Sequence, residues 1–335
     1  MIPHRPRILI TNWVRPETLS RLSTVGAIDA NPDRTRWPRS EIIRLAADAD
    51  AILAFMSDWV DATFLRQCRR LRVVACALKG YDNFDVDACR AAGVWLAIVP
   101  DLLTEPTAEL AVGLTIGLGR MIREGDTIVR SGTFEGWQPI LYGSGLDGST
   151  VTIVGMGHVG RAIARRLSGF GCQILGVDPR PDMPPGVTGR DLNGALADSD
   201  FVILAAPLTT ATHHLIGREA FAKMKSGVFL INVGRGSVVD ERAVADALES
   251  NVLGGYAADV FEMEDWALAN RPTMINARLR EHPRTLFTPH LGSAVERVRR
   301  AIELRAADNI ADALAGKQPR DAINEPMGHQ LRSAG

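Results

Sequence analysis

Short β-branched and aliphatic runs alternate along the chain with stretches whose apolar residues recur every three or four positions. That is the pattern of parallel strands, covered on both faces, joined by amphipathic helices. In the first hundred residues, Arg7 to Ile10, Ala51 to Phe55, Arg72 to Ala77 and Val94 to Val99 predict strands. Helices are predicted over Arg15 to Leu22, Arg39 to Ala46 and Val86 to Ala92, and this small α/β unit closes at Pro100. A second series follows, with strands predicted over Thr150 to Val154, Gln173 to Val177, Phe201 to Ala205, Val228 to Asn232, Gly255 to Val260 and Leu286 to Thr288. These suffice for a complete doubly wound sheet.

Between the two series lies a long helical pattern, Pro106 to Val129, opened by Pro106 and Glu109 as helix starts commonly are. Another, Val295 to Ala315, stops at Gly316. Both read as connectors. A chain of 335 residues exceeds what one hydrophobic core usually supports, so two domains are expected. If the segment from Lys317 returns to the first unit, residues 1–100 and 317–335 form one discontinuous domain around an inserted domain of 101–316, with a hinge crossed twice and a cleft between them.

Composition narrows the chemistry by exclusion. Thirty-eight Lys and Arg against 39 Asp and Glu leave a formal charge of -1, and no basic block or tail occurs, which removes the electrostatic case for nucleic acid or an anionic membrane as partner. The longest apolar stretch, Leu110 to Leu118, is too short to span a bilayer, and the N-terminal apolar run is too quickly interrupted for a secretion signal. A soluble, cytoplasmic protein is expected. Cys68, Cys76, Cys89 and Cys172 have spacings that fit neither a zinc site nor a disulfide framework, so reduced thiols and no metal are expected.

The stretch TVTIVGMGHVGRAIARRL sets Gly155, Gly157 and Gly160 in G-x-G-x-x-G spacing between a predicted strand and a helix. The first glycine permits a tight turn, the second lets a pyrophosphate approach the backbone, and the third allows close helix-to-strand packing, with the anion against the helix N-terminus. Asp178 follows the next strand about 20 residues on, where a carboxylate accepts hydrogen bonds from ribose hydroxyls. It should repel the 2'-phosphate of NADP, so NAD is expected; Arg180 leaves room for weaker NADP use. The candidate cofactor set is Gly155, Gly157, His158, Val159, Gly160, Asp178, Pro179, Arg180, Pro207 and Asp259.

Three further motifs follow predicted strands at the carboxyl edge of the second unit, where open α/β sheets bind ligands. INVGRGSVVDE carries Arg235 between two glycines that let the backbone turn sharply, and its guanidinium fork suits an oxyanion. ADVFEMEDW carries Glu262, Glu264 and Asp265, and LFTPHLGSA carries His290. A histidine and a carboxylate can form an acid/base pair in which the carboxylate fixes the tautomer.

Together with the glycine motif, N-x-G-R-G-x-x-V-D, D-V-F-E-x-E and T-P-H-x-G-S resemble the NAD-dependent D-2-hydroxyacid dehydrogenase family over nearly the whole chain. The resemblance implies a Rossmann cofactor domain inserted in a smaller flavodoxin-like α/β substrate domain, with an active site of Arg235, Glu264 and His290. A narrower likeness, carried by CALKGYDNFDVDAC, VPDLLTEPTAEL, GWQPILYGSGL and GYAADVFEMEDWALANRP, is to the phosphite (phosphonate) dehydrogenase branch of that family.

This branch likeness implies oxidation of phosphite to phosphate by water, with hydride passing to NAD, and it gives a meaning to Lys79. Placed after the apolar run Val73 to Leu78, that lysine is the second cation a dianionic oxyanion needs once desolvated. Met56, Trp137, Tyr142 and Arg299 are implied as further pocket residues, with Leu78 and Gly80 as backbone contributors. Val233-Gly234 and Asp178-Pro179 depart from the branch pattern. The alternatives are an ordinary D-2-hydroxyacid dehydrogenase, such as a glyoxylate or hydroxypyruvate reductase, and an NAD-sensing co-repressor. Residues 120–145 are implied as a dimerisation arm, hence a homodimer.

Overall fold

The continuous aliphatic runs become interior strands of two separate parallel sheets. The structure is a computed structural model and describes residues 5–180 and 182–327. In chain order the first unit contains β1 (Arg7–Ile10), α1 (Pro16–Ser23), β2 (Ala27–Ala30), α2 (Arg39–Ala46), β3 (Ala51–Ala54), α3 (Ala62–Gln67), β4 (Val73–Cys76), α4 (Val86–Ala91) and β5 (Trp95–Ala97). Its strands are parallel and ordered β2-β1-β3-β4-β5. Every position of β3 and β4 is buried, as a sheet covered on both faces requires. Asp61 and Asp85 cap α3 and α4 by accepting the N–H groups of Phe64 and Ala88.

The second unit continues with α5 (Thr104–Gly119), α6 (Ile122–Arg130), β6 (Thr150–Val154), α7 (His158–Leu167), β7 (Gln173–Val177), β8 (Val187–Gly189), α8 (Leu192–Asp198), β9 (Phe201–Leu204), α9 (Arg218–Phe221), β10 (Val228–Asn232), α10 (Glu241–Glu249), β11 (Leu253–Ala258), α11 (Ala277–Arg280) and β12 (Thr285–Phe287). The sheet order is β12-β11-β10-β9-β6-β7-β8, all parallel. Because β7 lies on one side of β6 and β9 on the other, the order reverses at β6. A ligand crevice forms at the carboxyl ends beside such a switch point.

The units divide differently from the sequence expectation. Among the described residues, the first comprises 5–103, Trp266–Ala269 and 295–327, and the second Thr104–Asp265 and Asn270–Ala294. The last helix, α12 (Glu296–Leu314), joins the first unit because Val298, Ile302, Ala306 and Ile310 pack against Ile8, Leu53, Val73 and Ala75 of that sheet. Burying Ile302 or Ile310 completely contributes roughly 2 kcal/mol each. Past Gly316 (φ +77) the chain runs along β5, where Asn324 accepts the N–H of Leu96 and donates to the carbonyl of Val94. The remainder of the expected 317–335 segment, residues 328–335, lies outside the described residues.

The elements depart from expectation in two respects. The edge strands β2 and β8 and the helices α3, α8, α9, α10 and α11 had no predicted counterpart. The helix expected over Pro106 to Val129 is two helices, broken at Met121, which adopts φ 53. Gly119 ends α5 because its carbonyl accepts the N–H of Ser144, and a side chain there would meet the Ser144 carbonyl and the Phe201 ring. Among the described residues, no helix is long and apolar enough to cross a membrane, and all four cysteines are free.

Candidate active site

The turn from β6 into α7 has the geometry that the glycine spacing asks for. Gly155 has φ +96, and a Cβ there would strike the backbone of Ala205 and Ala206. Gly160 packs so closely that a Cβ would overlap the Gly155 carbonyl, and Gly157 has nothing closer to its Cβ direction than Arg180 at 4.0 Å. The one open glycine is thus the one meant to admit a pyrophosphate, just before the first helical N–H groups at His158 and Val159. These residues fit a dinucleotide.

Asp178 ends β7 and ties that end to the glycine turn by accepting the N–H of Met156 at 2.8 Å. Its other contacts are with Arg180, which donates its backbone N–H and its guanidinium to the carboxylate at 2.9–3.1 Å. The Arg180 guanidinium, aided by the two N–H groups, outweighs burial and holds the Asp178 carboxyl down at about 2. It is therefore a carboxylate at any ordinary pH. Pro179 is exposed beside it; Pro207 is exposed after β9, its carbonyl accepting the Thr212 hydroxyl.

Arg235, Glu264 and His290 follow β10, β11 and β12, three neighbouring strands, so their loops share one sheet edge. His290 Nδ1 lies 2.6 Å from Glu264 Oε2. A carboxylate accepts from Nδ1–H, which leaves Nε2 as the lone-pair nitrogen of the neutral ring. Glu264 Oε1 accepts the N–H of Phe261 at 2.9 Å, closing the turn on which Glu264 stands. His290 is at φ 55, a conformation that costs a non-glycine residue strain and is over-represented at functional sites.

Asp259, expected among the cofactor residues, is 2% exposed and its carboxylate is engaged within the protein. It accepts the Thr288 hydroxyl and the N–H groups of Leu291 and Gly292, while its carbonyl accepts the His290 N–H. Desolvation nevertheless pushes its pKa up. Asp259 and Thr288 therefore hold the loop that presents His290; Thr288 was not singled out from the sequence, since its partner is apparent only in three dimensions.

The glycines flanking Arg235 serve close approach rather than an unusual turn. A Cβ on Gly234 would meet the Ala206 carbonyl at 2.6 Å, and one on Gly236 would overlap Phe261. The half-buried Arg235 stands between them, its guanidinium donating to the Gly234 carbonyl at 2.9 Å.

In the first unit, the run read as a strand to Ala77 ends at Cys76, and Lys79 stands three residues beyond, half-buried next to buried Leu78 and half-buried Gly80. Desolvation lowers the Lys79 pKa against the pull of Asp101. Arg299 donates to the Ala77 carbonyl at 3.1 Å and lies 5.8 Å from the Phe55 ring centroid, next to Met56 in sequence. Burial lowers its pKa too. Trp137 and Tyr142 are not brought to the Arg235, Glu264 and His290 cluster as buried pocket walls: they are 84% and 79% exposed on the irregular segment after α6.

A dinucleotide turn at a switch point, with an arginine and a histidine–carboxylate pair on the same sheet edge, defines a nicotinamide-dependent dehydrogenase of the doubly wound class. Residues 112–292 match the family profile described as D-isomer specific 2-hydroxyacid dehydrogenase, NAD binding domain. A glyoxylate reductase from Thermococcus litoralis is 32% identical over 332 residues, covering 96% of this chain and 98% of its own. Among solved structures, a protein from Thermus thermophilus superposes with TM-score 0.86 at 31% identity, over 95% of this chain and 99% of that one. An NADPH-dependent glyoxylate/hydroxypyruvate reductase from Sinorhizobium meliloti, solved with NADP and malonate, gives 0.84 at 30% identity, over 96% and 98%. The chain belongs to the D-isomer specific 2-hydroxyacid dehydrogenase family.

Proposed function

We propose that this chain reduces a small 2-oxo acid of the glyoxylate or hydroxypyruvate type to the 2-hydroxy acid, and runs the reverse oxidation. The relatives named as glyoxylate reductases support this substrate class. The observation that carries the chemistry is the 2.6 Å contact between His290 Nδ1 and Glu264. When bound, the nicotinamide coenzyme supplies or takes the hydride. Gly155, Gly157 and Gly160 would hold its pyrophosphate, and Asp178 its ribose hydroxyls. The Arg235 fork grips the substrate carboxylate in two parallel hydrogen bonds, which orients the oxo group. His290, held as a donor to Glu264 through Nδ1, gives the proton on Nε2 to the oxo oxygen in reduction and recovers it in oxidation.

A second reading, oxidation of phosphite to phosphate, is favoured by Lys79. Phosphite at neutral pH is largely a dianion, and desolvating its second charge without a partner costs several kcal/mol. A half-buried lysine after an apolar strand is the residue that would meet that charge. Here water is the nucleophile: an O–P bond forms, the P–H bond breaks with its electron pair leaving as hydride to the oxidised coenzyme, and His290 takes the water proton.

One experiment separates the readings. The purified chain is assayed for NADH consumption with glyoxylate and hydroxypyruvate, and for NADH formation with phosphite. Oxo-acid turnover without phosphite turnover supports the first reading and the converse moves the assignment to phosphorus. Silence in every assay, with coenzyme shown to bind, defeats both and restores the co-repressor alternative.

A further inference from the structure

Two carboxylates left unused by the chemistry above lie behind the Glu264 turn. Glu241 opens α10 and is 2% exposed. Its Oε1 accepts the N–H of Glu262 at 3.0 Å, and Glu262 Oε1 accepts the N–H of Glu241 at 3.2 Å. This reciprocal pair bolts the start of α10 to the short turn Glu262–Glu264. The other Glu241 oxygen accepts the N–H of Asn276 at 3.5 Å.

The same turn is fastened to the Arg235 loop. Asp265, 2% exposed, accepts the N–H of Ser237 at 2.8 Å, and Gly236 rests directly on the backbone of Phe261 and Glu262. His214 spans the seam: its N–H donates to the Ser237 carbonyl at 2.7 Å and its Nε2 lies 2.9 Å from Glu262 Oε1. It does so at φ 51, a strained conformation for histidine.

Stability alone gives no reason for this arrangement. Burial pushes Glu241 up to about 7, and the charges of Glu262 and Asp265 add to that, so the acids crowd one another. Buried charges of one sign are costly to keep, and such costs persist mainly where geometry must be held.

We propose that Glu241 and Glu262, braced by His214, form a clasp that fixes Glu264 against the Arg235 loop, making Glu241 and Glu262 positioning residues for His290. The clasp fixes how squarely Glu264 meets Nδ1, and thereby where Nε2 points. The inference rests on the reading of His290 as the proton-transfer group.

The test is steady-state kinetics, in the glyoxylate/NADH or phosphite/NAD assay that the chain turns over, for Glu241→Ala, Glu241→Gln, Glu262→Ala and His290→Ala. Misplacement of a catalytic group by about 1 Å costs on the order of 100-fold, so Glu241→Ala should lower kcat by about that factor with KM little changed. Glu241→Gln, whose carbonyl oxygen still accepts the Glu262 N–H, should recover most of the rate.

Far-UV circular dichroism shows whether Glu241→Ala folds; if it does not, Glu262→Ala bears the same expectation. A folded variant with wild-type kcat, or a Glu241→Gln that recovers none of the rate lost in Glu241→Ala, overturns the clasp. Retained activity in His290→Ala would instead overturn the assignment of the proton-transfer group, so the two failures are told apart.

Discussion

The two oxygens of Glu264 face in different directions: Oε2 pairs with His290 Nδ1 at 2.6 Å, and Oε1 accepts the N–H of Phe261 at 2.9 Å. One carboxylate thus locks its own turn and the tautomer of the histidine. General acid/base groups contribute about 100- to 10,000-fold, so His290→Ala should lower kcat within that range while coenzyme binding, measured by fluorescence titration, stays intact. Glu264→Gln should lose less, because an amide oxygen can still accept from Nδ1–H.

Arg235 makes a different prediction. A guanidinium fork holds a carboxylate through two charge-assisted bonds worth about 1.5–3 kcal/mol each, so Arg235→Ala should cost at least about 100-fold in kcat/KM, with the rise in KM carrying most of it. Arg235→Lys keeps the charge and loses the planar fork, and should recover only part of the loss. Equal kinetics for Lys and Arg would mean that charge, not bidentate geometry, binds the substrate.

What was legible in the sequence was what local physics dictates. Strand β6 and its glycine turn could be read because a buried aliphatic run and a glycine at positive φ are requirements of adjacent residues. The edge strand β2, Ala27–Ala30, has no fully buried position, so nothing in its side chains distinguishes it from a loop. The break at Met121 depends on Ser144, more than twenty positions away in the chain. The account of the glycines beside Arg235 as a sharp turn missed their role, because close approach to Ala206 and Phe261 is a tertiary fact. Asp259 was expected among the cofactor residues, and the engagement of its carboxylate by Thr288, Leu291 and Gly292 is a tertiary fact the sequence does not show.

Coenzyme preference should turn on Asp178. Its carboxylate is 7% exposed and bound to Arg180. With its pKa depressed to about 2, its contribution to stability is complete above the unfolded value of about 3.9 and is lost as pH falls through 2. Across the neutral range its charge is constant, so the ratio of kcat/KM for NAD to that for NADP should not change with pH through Asp178. Asp178→Ser removes the negative charge and releases Arg180 toward a 2'-phosphate; one charge-assisted bond corresponds to a shift of about tenfold or more toward NADP.

Lys79 separates the two substrate readings. If phosphite is a substrate, Lys79→Ala should raise its KM by more than about tenfold, since an uncompensated second charge costs more than one charge-assisted bond. A 2-oxo acid, with a single carboxylate for Arg235 to hold, should be far less sensitive. Identical losses with both substrates would mean that Lys79 supports the fold of its own unit, not the second charge.

Glu241 links the site to stability in a direction opposite to Asp178. Burial raises its pKa from 4.5 to about 7, so between those values the folded protein holds a proton that the unfolded chain has released. Stability from this group is therefore intact below 4.5 and declines as pH rises to about 7; the full difference is on the order of 3 kcal/mol. Glu241→Gln mimics the protonated acid and cannot ionise. Urea unfolding at about pH 5 and about pH 8 should show the wild type losing stability relative to Glu241→Gln by roughly that amount across the interval. Asp58, raised to about 6 by its own burial, titrates in the same window in both proteins and cancels in the comparison. Parallel pH dependence in the two would place the Glu241 proton outside this range and show that the carboxylate stays charged on both sides of neutrality.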